Sequence, residues 1–131
     1  EKGFPVTFHA GLEAEGDTCK AHPADLLKLK KRFKNLNVIM AHLGGNLMHD
    51  LVELEIAGQD VYFDTAYIAE YLPPEQFENI VKKHGAEKIL FASDSPWGNI
   101  QKHISFISNS KLKNSDKELI FGKNAEFLFK I

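Results

Sequence analysis

The sequence has one cysteine, Cys19, one tryptophan, Trp97, and one arginine, Arg32. A lone cysteine excludes an internal disulfide framework and gives no sign of an oxidising compartment. No apolar run approaches the roughly 20 residues needed to span a bilayer, and nothing in the first thirty residues has the layout of a signal peptide. The formal net charge is −2 over 131 residues, which offers no electrostatic case for nucleic acid or anionic membranes. There is no low-complexity segment, internal linker or close repeat. A soluble, cytoplasmic protein is expected. The basic stretch Lys28, Lys30, Lys31, Arg32 and Lys34 is interleaved with Leu26, Leu27, Leu29 and Phe33 at helical spacing. It reads as the solvated face of an amphipathic helix rather than a phosphate-binding patch.

What is present alternates strand and helix four times. Pro5 to His9, Val38 to Ala41, Val61 to Asp64 and Lys88 to Ala92 are apolar, strand-like runs. Pro23 opens a helix to about Phe33, where its missing N–H costs nothing. After the turn Gly44-Gly45, Asn46 is a plausible N-cap for a helix carrying Leu47, Leu51 and Leu54, and Gly58 stops it. Pro73-Pro74 start a helix with Phe77, Ile80, Val81 and His84 on one face and Gly85 as its stop. Ile100, Ile104 and Ile107 recur at helical spacing. Ser115 and Glu118 have capping-box spacing, Gly122 breaks that helix, and Asn124 caps a last one with Phe127, Leu128 and Ile131. This alternation predicts an α/β fold, a parallel sheet of four strands covered by helices.

Three of the strand-like runs end in a residue able to bind or serve a metal: His9, His42 and Asp94. Side chains at the C-terminal ends of successive parallel strands converge on the face where such folds do chemistry. Alternation along a strand places Thr7 with His9, then Val38 and Met40 with His42, then Leu90 and Ala92 with Asp94. If those faces line one curved sheet, the three polar termini share a mouth. The order His, His, Asp points to metal-assisted chemistry. Four strands cannot close a barrel, for which about eight are usual, and four βα units amount to about half of one.

The segments Phe8-His9-Ala10-Gly11, Ala41-His42-Leu43-Gly44-Gly45, Tyr62-Phe63-Asp64-Thr65, Ile89 to Trp97 and Asn124-Ala125 resemble, in order and over nearly the whole chain, amidohydrolase family 2 of the amidohydrolase superfamily. The resemblance implies that residues 1–131 are the C-terminal half of a (β/α)8 TIM barrel, strands five to eight. Members of the family carry a His-x-His pair on their first strand. This chain has none, so the N-terminal half-barrel is expected upstream, and the chain is expected to carry only part of a site.

By that resemblance His9 is a metal ligand, with zinc the leading divalent ion. His42 contacts substrate or the metal-bound water, or ligates a second metal. Asp94 touches the metal and takes a proton from its water, as general base. Asp64 is more structural than catalytic. Trp97 walls a substrate pocket or seals the barrel top. His22 starts a helix or contacts substrate from the loop. His49, His84 and His103 lie in helices and read as structural. Cys19 shows no feature that would lower its thiol pKa. The implied activity is metal-dependent hydrolysis of a small-molecule substrate, with attack of an activated water on a carbonyl-type carbon. The runner-up is non-oxidative decarboxylation of an aromatic or unsaturated acid. The absence of an arginine near the motifs favours hydrolysis. From another class, the chain could be an inert half-barrel that acts only by pairing with its missing half or a second copy.

Overall fold

The computed structural model describes residues 3–13 and 18–131. Residues 14–17, in the middle of the loop expected from Ala10 to His22, lie outside it. Four parallel strands, β1 (Val6–Phe8), β2 (Val38–Met40), β3 (Tyr62–Asp64) and β4 (Ile89–Leu90), pair in sequence order. Each βα crossover returns the chain to the same edge of the growing sheet, so neighbours in sequence become neighbours in space. Among the described residues no helix is long and apolar enough to cross a membrane.

The register places Phe8 beside Met40, Met40 beside Phe63, and Phe63 beside Ile89. This row faces the helices and forms the main core with Leu26, Val52, Ile56, Phe77, Ile80 and Ile107. The opposite face is smaller. Ile39 and Leu90 pack there against Leu128 of the last helix, flanked by Tyr62 and Ala125. Burial on both faces of β2 and β4 explains why those strands read as apolar runs rather than alternating ones, whereas β1 leaves Val6 and Thr7 exposed.

The register corrects the parity reading of the second strand. Thr7 pairs with Ile39, so Met40 lies on the face opposite Thr7. His42 does not reach the strand ends by alternation. It gets there because the strand stops at Met40 and the chain turns through positive φ at His42 (57°), Leu43 (52°) and Gly44 (88°). Gly44 has a further reason to lack a side chain: a Cβ there would sit 2.6 Å from the Phe63 ring.

The first helix, α1 (Pro23–Arg32), runs as the sequence predicts. Its basic residues lie mostly in solvent, although Lys30 reaches inward to Asp60, 3.2 Å away, which Lys88 also pairs at 2.9 Å. The helix after β2 differs. Its first turn, α2 (His49–Leu51), continues as a π-helical turn over Val52–Ile56. The buried side chains are His49, Val52 and Ile56, whereas Leu54 is 75% exposed. The wider i→i+5 repeat rotates the apolar face away from a 3.6-residue reading. Asn46 is not the cap; Met48 holds that position without a side-chain bond. The next helix, α3 (Pro74–His84), matches expectation, with Phe77, Ile80, Val81 and His84 buried and Gly85 at its end.

After β4, the helix α4 (Ile100–Ser108) is capped by Asn99, whose side chain accepts from the Lys102 N–H. It buries His103 and Ile107 rather than the three isoleucines of its pattern. Next, α5 (Asn114–Glu118) follows Lys113, so Ser115 lies inside it and no capping box forms. A second π-helical turn, Leu119–Lys123, then carries the chain through Gly122 without a break into α6 (Asn124–Phe129). Asn124 is a tether rather than a cap. Its buried Nδ2 donates to the carbonyls of Ala86 (2.7 Å) and Ile89 (2.8 Å).

One buried side chain extends the sheet beyond β3. Thr65 Oγ1 donates to the Ala92 carbonyl and accepts from the Ala92 N–H, both at 2.8 Å. It thereby anchors the segment that leads to Asp94. Thr65→Val keeps the shape but leaves both Ala92 groups unpaired, and should cost about 2–3 kcal/mol in urea denaturation. Thr65→Ser should recover most of that. Equal stability of the valine and threonine forms would refute the anchoring role.

Candidate active site

His9, His42, Asp94 and Trp97 line one cavity of ≈ 570 Å³ together with Glu13, Asn46, Leu47, Tyr67 and Tyr71. It opens at the C-terminal ends of the strands. His9 follows β1 directly. His42 follows β2 through the left-handed turn, and Asp94 follows β4 with its own φ of 62°. Asp64 clamps that left-handed turn in place. Its Oδ1 accepts from the N–H groups of His42 (3.1 Å) and Ala66 (3.0 Å), and its carbonyl accepts from the Leu43 N–H (2.6 Å). Strained backbone persists only where its surroundings over-determine it, and here two hydrogen bonds to Asp64 hold the turn while the third, from Ala66, holds the Asp64 carboxylate in place. Burial pushes the Asp64 carboxyl above its usual range. The two N–H groups pull it down, and the nearby charge of Asp94 adds to the rise.

The two imidazoles meet directly. His9 Nδ1 and His42 Nε2 are 3.1 Å apart, with ring centroids 4.9 Å apart and planes at 67°. Each ring's outer nitrogen faces a backbone carbonyl: His9 Nε2 to Leu12 (3.1 Å) and His42 Nδ1 to Ala66 (3.0 Å). A carbonyl only accepts, so both outer nitrogens carry the proton. In two neutral rings both inner nitrogens are then bare, and their lone pairs point at one another. A cation between them, a proton or a metal ion, resolves that repulsion. Ring N–H groups held by carbonyls are also the usual outer support of metal-bound histidines. The residues therefore fit a metal through two imidazole nitrogens. Among the described residues no three His, Cys, Asp or Glu side chains cluster closely enough to enclose an ion. Asp94 lines the same cavity without completing such a cluster. The sequence pairs His9 with Asp94 as ligands; the direct contact in the fold is between His9 and His42.

His22 stands elsewhere. Its Nδ1 accepts from the Ala24 N–H (3.2 Å) and caps α1, and it is not among the cavity residues. The helix-start role is the one the geometry displays. Trp97 lines the cavity yet is 76% exposed, so it stands as an open wall rather than a packed seal. Asn46, Tyr67 and Tyr71 are cavity residues that sequence reasoning missed. Tyr67 lies at a φ of 63° just before a 3₁₀ turn, and Tyr71 just after it. Only the aromatic pair beyond the third strand could have drawn attention to them. Burial pushes the Tyr71 hydroxyl up to about 12, so the phenol stays protonated at neutral pH. Cys19 is free and exposed.

His49 supports the site from below. Its Nε2–H donates to the His42 carbonyl at 3.0 Å, and burial pulls its pKa down to about 4. The other two helix histidines are also buried, and they bond backbone groups away from the cavity.

Comparison with known proteins matches this arrangement to a family. A family model described as amidohydrolase, of the amidohydrolase 2 branch, spans residues 1–131. No curated protein sequence matches. Among solved structures, 5-carboxyvanillate decarboxylase from Sphingomonas paucimobilis superposes with a TM-score of 0.70 at 15% identity, over 98% of this chain and 50% of that one. An amidohydrolase 2 from Bifidobacterium longum subsp. infantis gives 0.69 at 17% identity, over 99% and 51%. A dihydroxybenzoic acid decarboxylase from Polaromonas sp. JS666, solved with manganese and the inhibitor 2-nitroresorcinol, gives 0.66 at 17%, over 98% and 50%. The chain thus spans about half the length of these neighbours, as expected for half of a barrel. It belongs to the amidohydrolase 2 family of metal-dependent enzymes.

Proposed function

We propose that this chain supplies the C-terminal part of a divalent-metal site, and that the complete enzyme removes carbon dioxide from a hydroxylated aromatic acid. The observation that carries the metal is the facing pair of bare nitrogens on His9 and His42. His9 Nδ1 and His42 Nε2 would hold the ion, with Asp94 contributing its carboxylate from across the cavity. The rest of the ligand set, and the wall opposite, belong to the missing half-barrel. When bound, a divalent cation supplies Lewis-acid charge that polarises a substrate oxygen and acidifies a water. Imidazole and carboxylate donors suit both zinc, the expectation from sequence, and manganese, which the Polaromonas neighbour contains.

The aromatic acid is supported by the lining. Tyr67, Tyr71 and Trp97 give the cavity flat, apolar walls that match a planar ring. In this reading Asp94 takes up a proton from water on the carboxylate oxygen turned away from the ion and delivers it to the ring carbon that bears the substrate carboxylate. The bond to that carboxylate then breaks, CO2 leaves, and the electron pair restores the aromatic ring. Tyr67 and Trp97 offer flat faces against which the ring would lie.

One observation favours hydrolysis as a second reading. Among the described residues neither lysine nor arginine lines the cavity to hold a substrate carboxylate. Asp94 would then accept the proton of the attacking water and return it to the leaving group, and the cation held by His9 and His42 would supply the charge that offsets the developing oxyanion.

The test uses the full-length protein, its metal quantified, with hydroxybenzoates and with simple amides and lactones as substrates. CO2 release, with a solvent deuteron incorporated at the vacated ring carbon, is the expected result. Amide or lactone cleavage without CO2 would transfer the assignment to hydrolysis. Protein that purifies without metal, and gains no activity with manganese or zinc, would overturn both.

A further inference from the structure

We propose that Tyr71 and Asn46 are positioning residues that fix the tautomer and aim of His9; the inference rests on the metal reading above. The chain of donors can be followed atom by atom. The Leu47 N–H points at Tyr71 Oη at 3.5 Å. Tyr71 Oη–H donates to Asn46 Oδ1 at 2.9 Å, and Asn46 Nδ2–H donates to the Leu12 carbonyl at 2.8 Å. That same carbonyl receives His9 Nε2–H at 3.1 Å.

Both ends of this chain have only one possible role. A backbone N–H can only donate and a backbone carbonyl can only accept. The Asn46 amide must therefore turn its NH2 to Leu12 and its oxygen to Tyr71, and the Tyr71 hydroxyl must donate. The carbonyl of Leu12 is held facing His9, so His9 carries its proton on Nε2 and leaves Nδ1 bare toward His42. Three loops that follow three different strands are joined in this way.

The Asn46 backbone fixes the same carbonyl from the other side. Its N–H donates to the Ala10 carbonyl (2.7 Å) and its carbonyl accepts the Leu12 N–H (3.0 Å). Gly11 makes the approach possible. Its φ is 94°, and a Cβ there would lie 2.4 Å from the Asn46 nitrogen. Neither Tyr71 nor Asn46 needs to touch the reacting atoms. Their effect runs through the carbonyl to the ring, as outer-shell partners of metal-bound histidines generally act.

Tyr71→Phe removes only the hydroxyl and keeps the ring contacts with His49 and Tyr67, at centroid distances of 5.7 and 6.2 Å. Asn46→Ala removes the link itself. In the metal-free full-length protein, nitrogen-detected NMR of the imidazoles reads the His9 tautomer directly. Wild type should show His9 Nε2 protonated throughout, any further proton being shared with His42 through Nδ1, and both variants should show a population with His9 Nε2 bare. Chelator competition should show manganese and zinc bound about 10-fold or more weakly by both variants. A single Nε2–H tautomer in both variants overturns the proposal, and so does a tautomer change with unchanged metal affinity. If Asn46→Ala does not fold, Tyr71→Phe decides alone. Wild-type protein that binds no metal defeats the functional reading, and the tautomer comparison still decides this one.

Discussion

Asp94→Asn in the full-length, metal-loaded enzyme should lower kcat by roughly 10²- to 10⁴-fold, the usual worth of a positioned proton carrier. The substitution isolates chemistry from folding. Asp94 sits at a φ of 62°, and asparagine is among the few residues that visit this left-handed region at little cost. Among the described residues no hydrogen bond or ion pair engages the Asp94 carboxylate. The variant should therefore melt within a few degrees of wild type. Asparagine can still offer an oxygen to a metal but cannot carry a proton. Steady-state turnover, with metal content measured in parallel, checks this. Activity within threefold of wild type, at equal metal content, would remove Asp94 from the proton path under both readings of the reaction.

The second large effect is on stability in acid. His84 is buried at the end of α3 and stacks on Phe63, with ring centroids 3.8 Å apart. Its Nε2–H donates to the Val61 carbonyl at 3.1 Å, and its Nδ1 accepts from the Gly58 N–H at 3.1 Å. A second proton would have to enter where that N–H already points. Burial pulls the His84 pKa down to about 4, against the bond to Val61, which raises it. The folded value lies below the ordinary 6.5, so the unfolded chain takes up the proton first. Stability from the neutral ring is complete above about pH 6.5, is lost as the pH falls toward 4, and is constant below. The limit is about 3 kcal/mol for His84, from 1.36 kcal/mol per pKa unit. His49, pulled to about 4 by the same cause, adds a similar amount. Together these approach the whole stability of a small domain. Urea denaturation between pH 7 and pH 4 should show the fall. His84→Gln, which can still donate and accept, should remove about half of its slope. A variant with the full wild-type slope would show that His84 does not titrate in this range.

How much of this was legible in the sequence depends on the range over which each signal acts. The helix α3 could be read whole, since Pro74, the spacing of Phe77, Ile80, Val81 and His84, and Gly85 are all local signals. The four strands were legible as apolar runs, and their order follows from the βα alternation. The second helix was misread because a π-helical turn shifts the buried face to His49, Val52 and Ile56. The same kind of turn carries Gly122 through a helix it was expected to end. The cavity position of His42 was foreseen for the wrong reason: strand alternation stops at Met40, and three successive residues of positive φ do the rest. Tyr71 and Asn46 were not legible as members of the site. Their partners lie 25 and 34 residues away in sequence, and no local pattern reports such a contact.

The left-handed turn at His42 and Leu43 sets a backbone cost against the side chain that it carries. Glycine at position 42 would relieve backbone strain worth on the order of 1 kcal/mol, and asparagine would recover part of that. Either exchange also removes the buried ring whose N–H the Ala66 carbonyl accepts at 3.0 Å, a loss that opposes the relief. The melting temperatures of His42→Gly and His42→Asn against wild type would therefore show whether the imidazole is carried on this backbone at a net cost to folding.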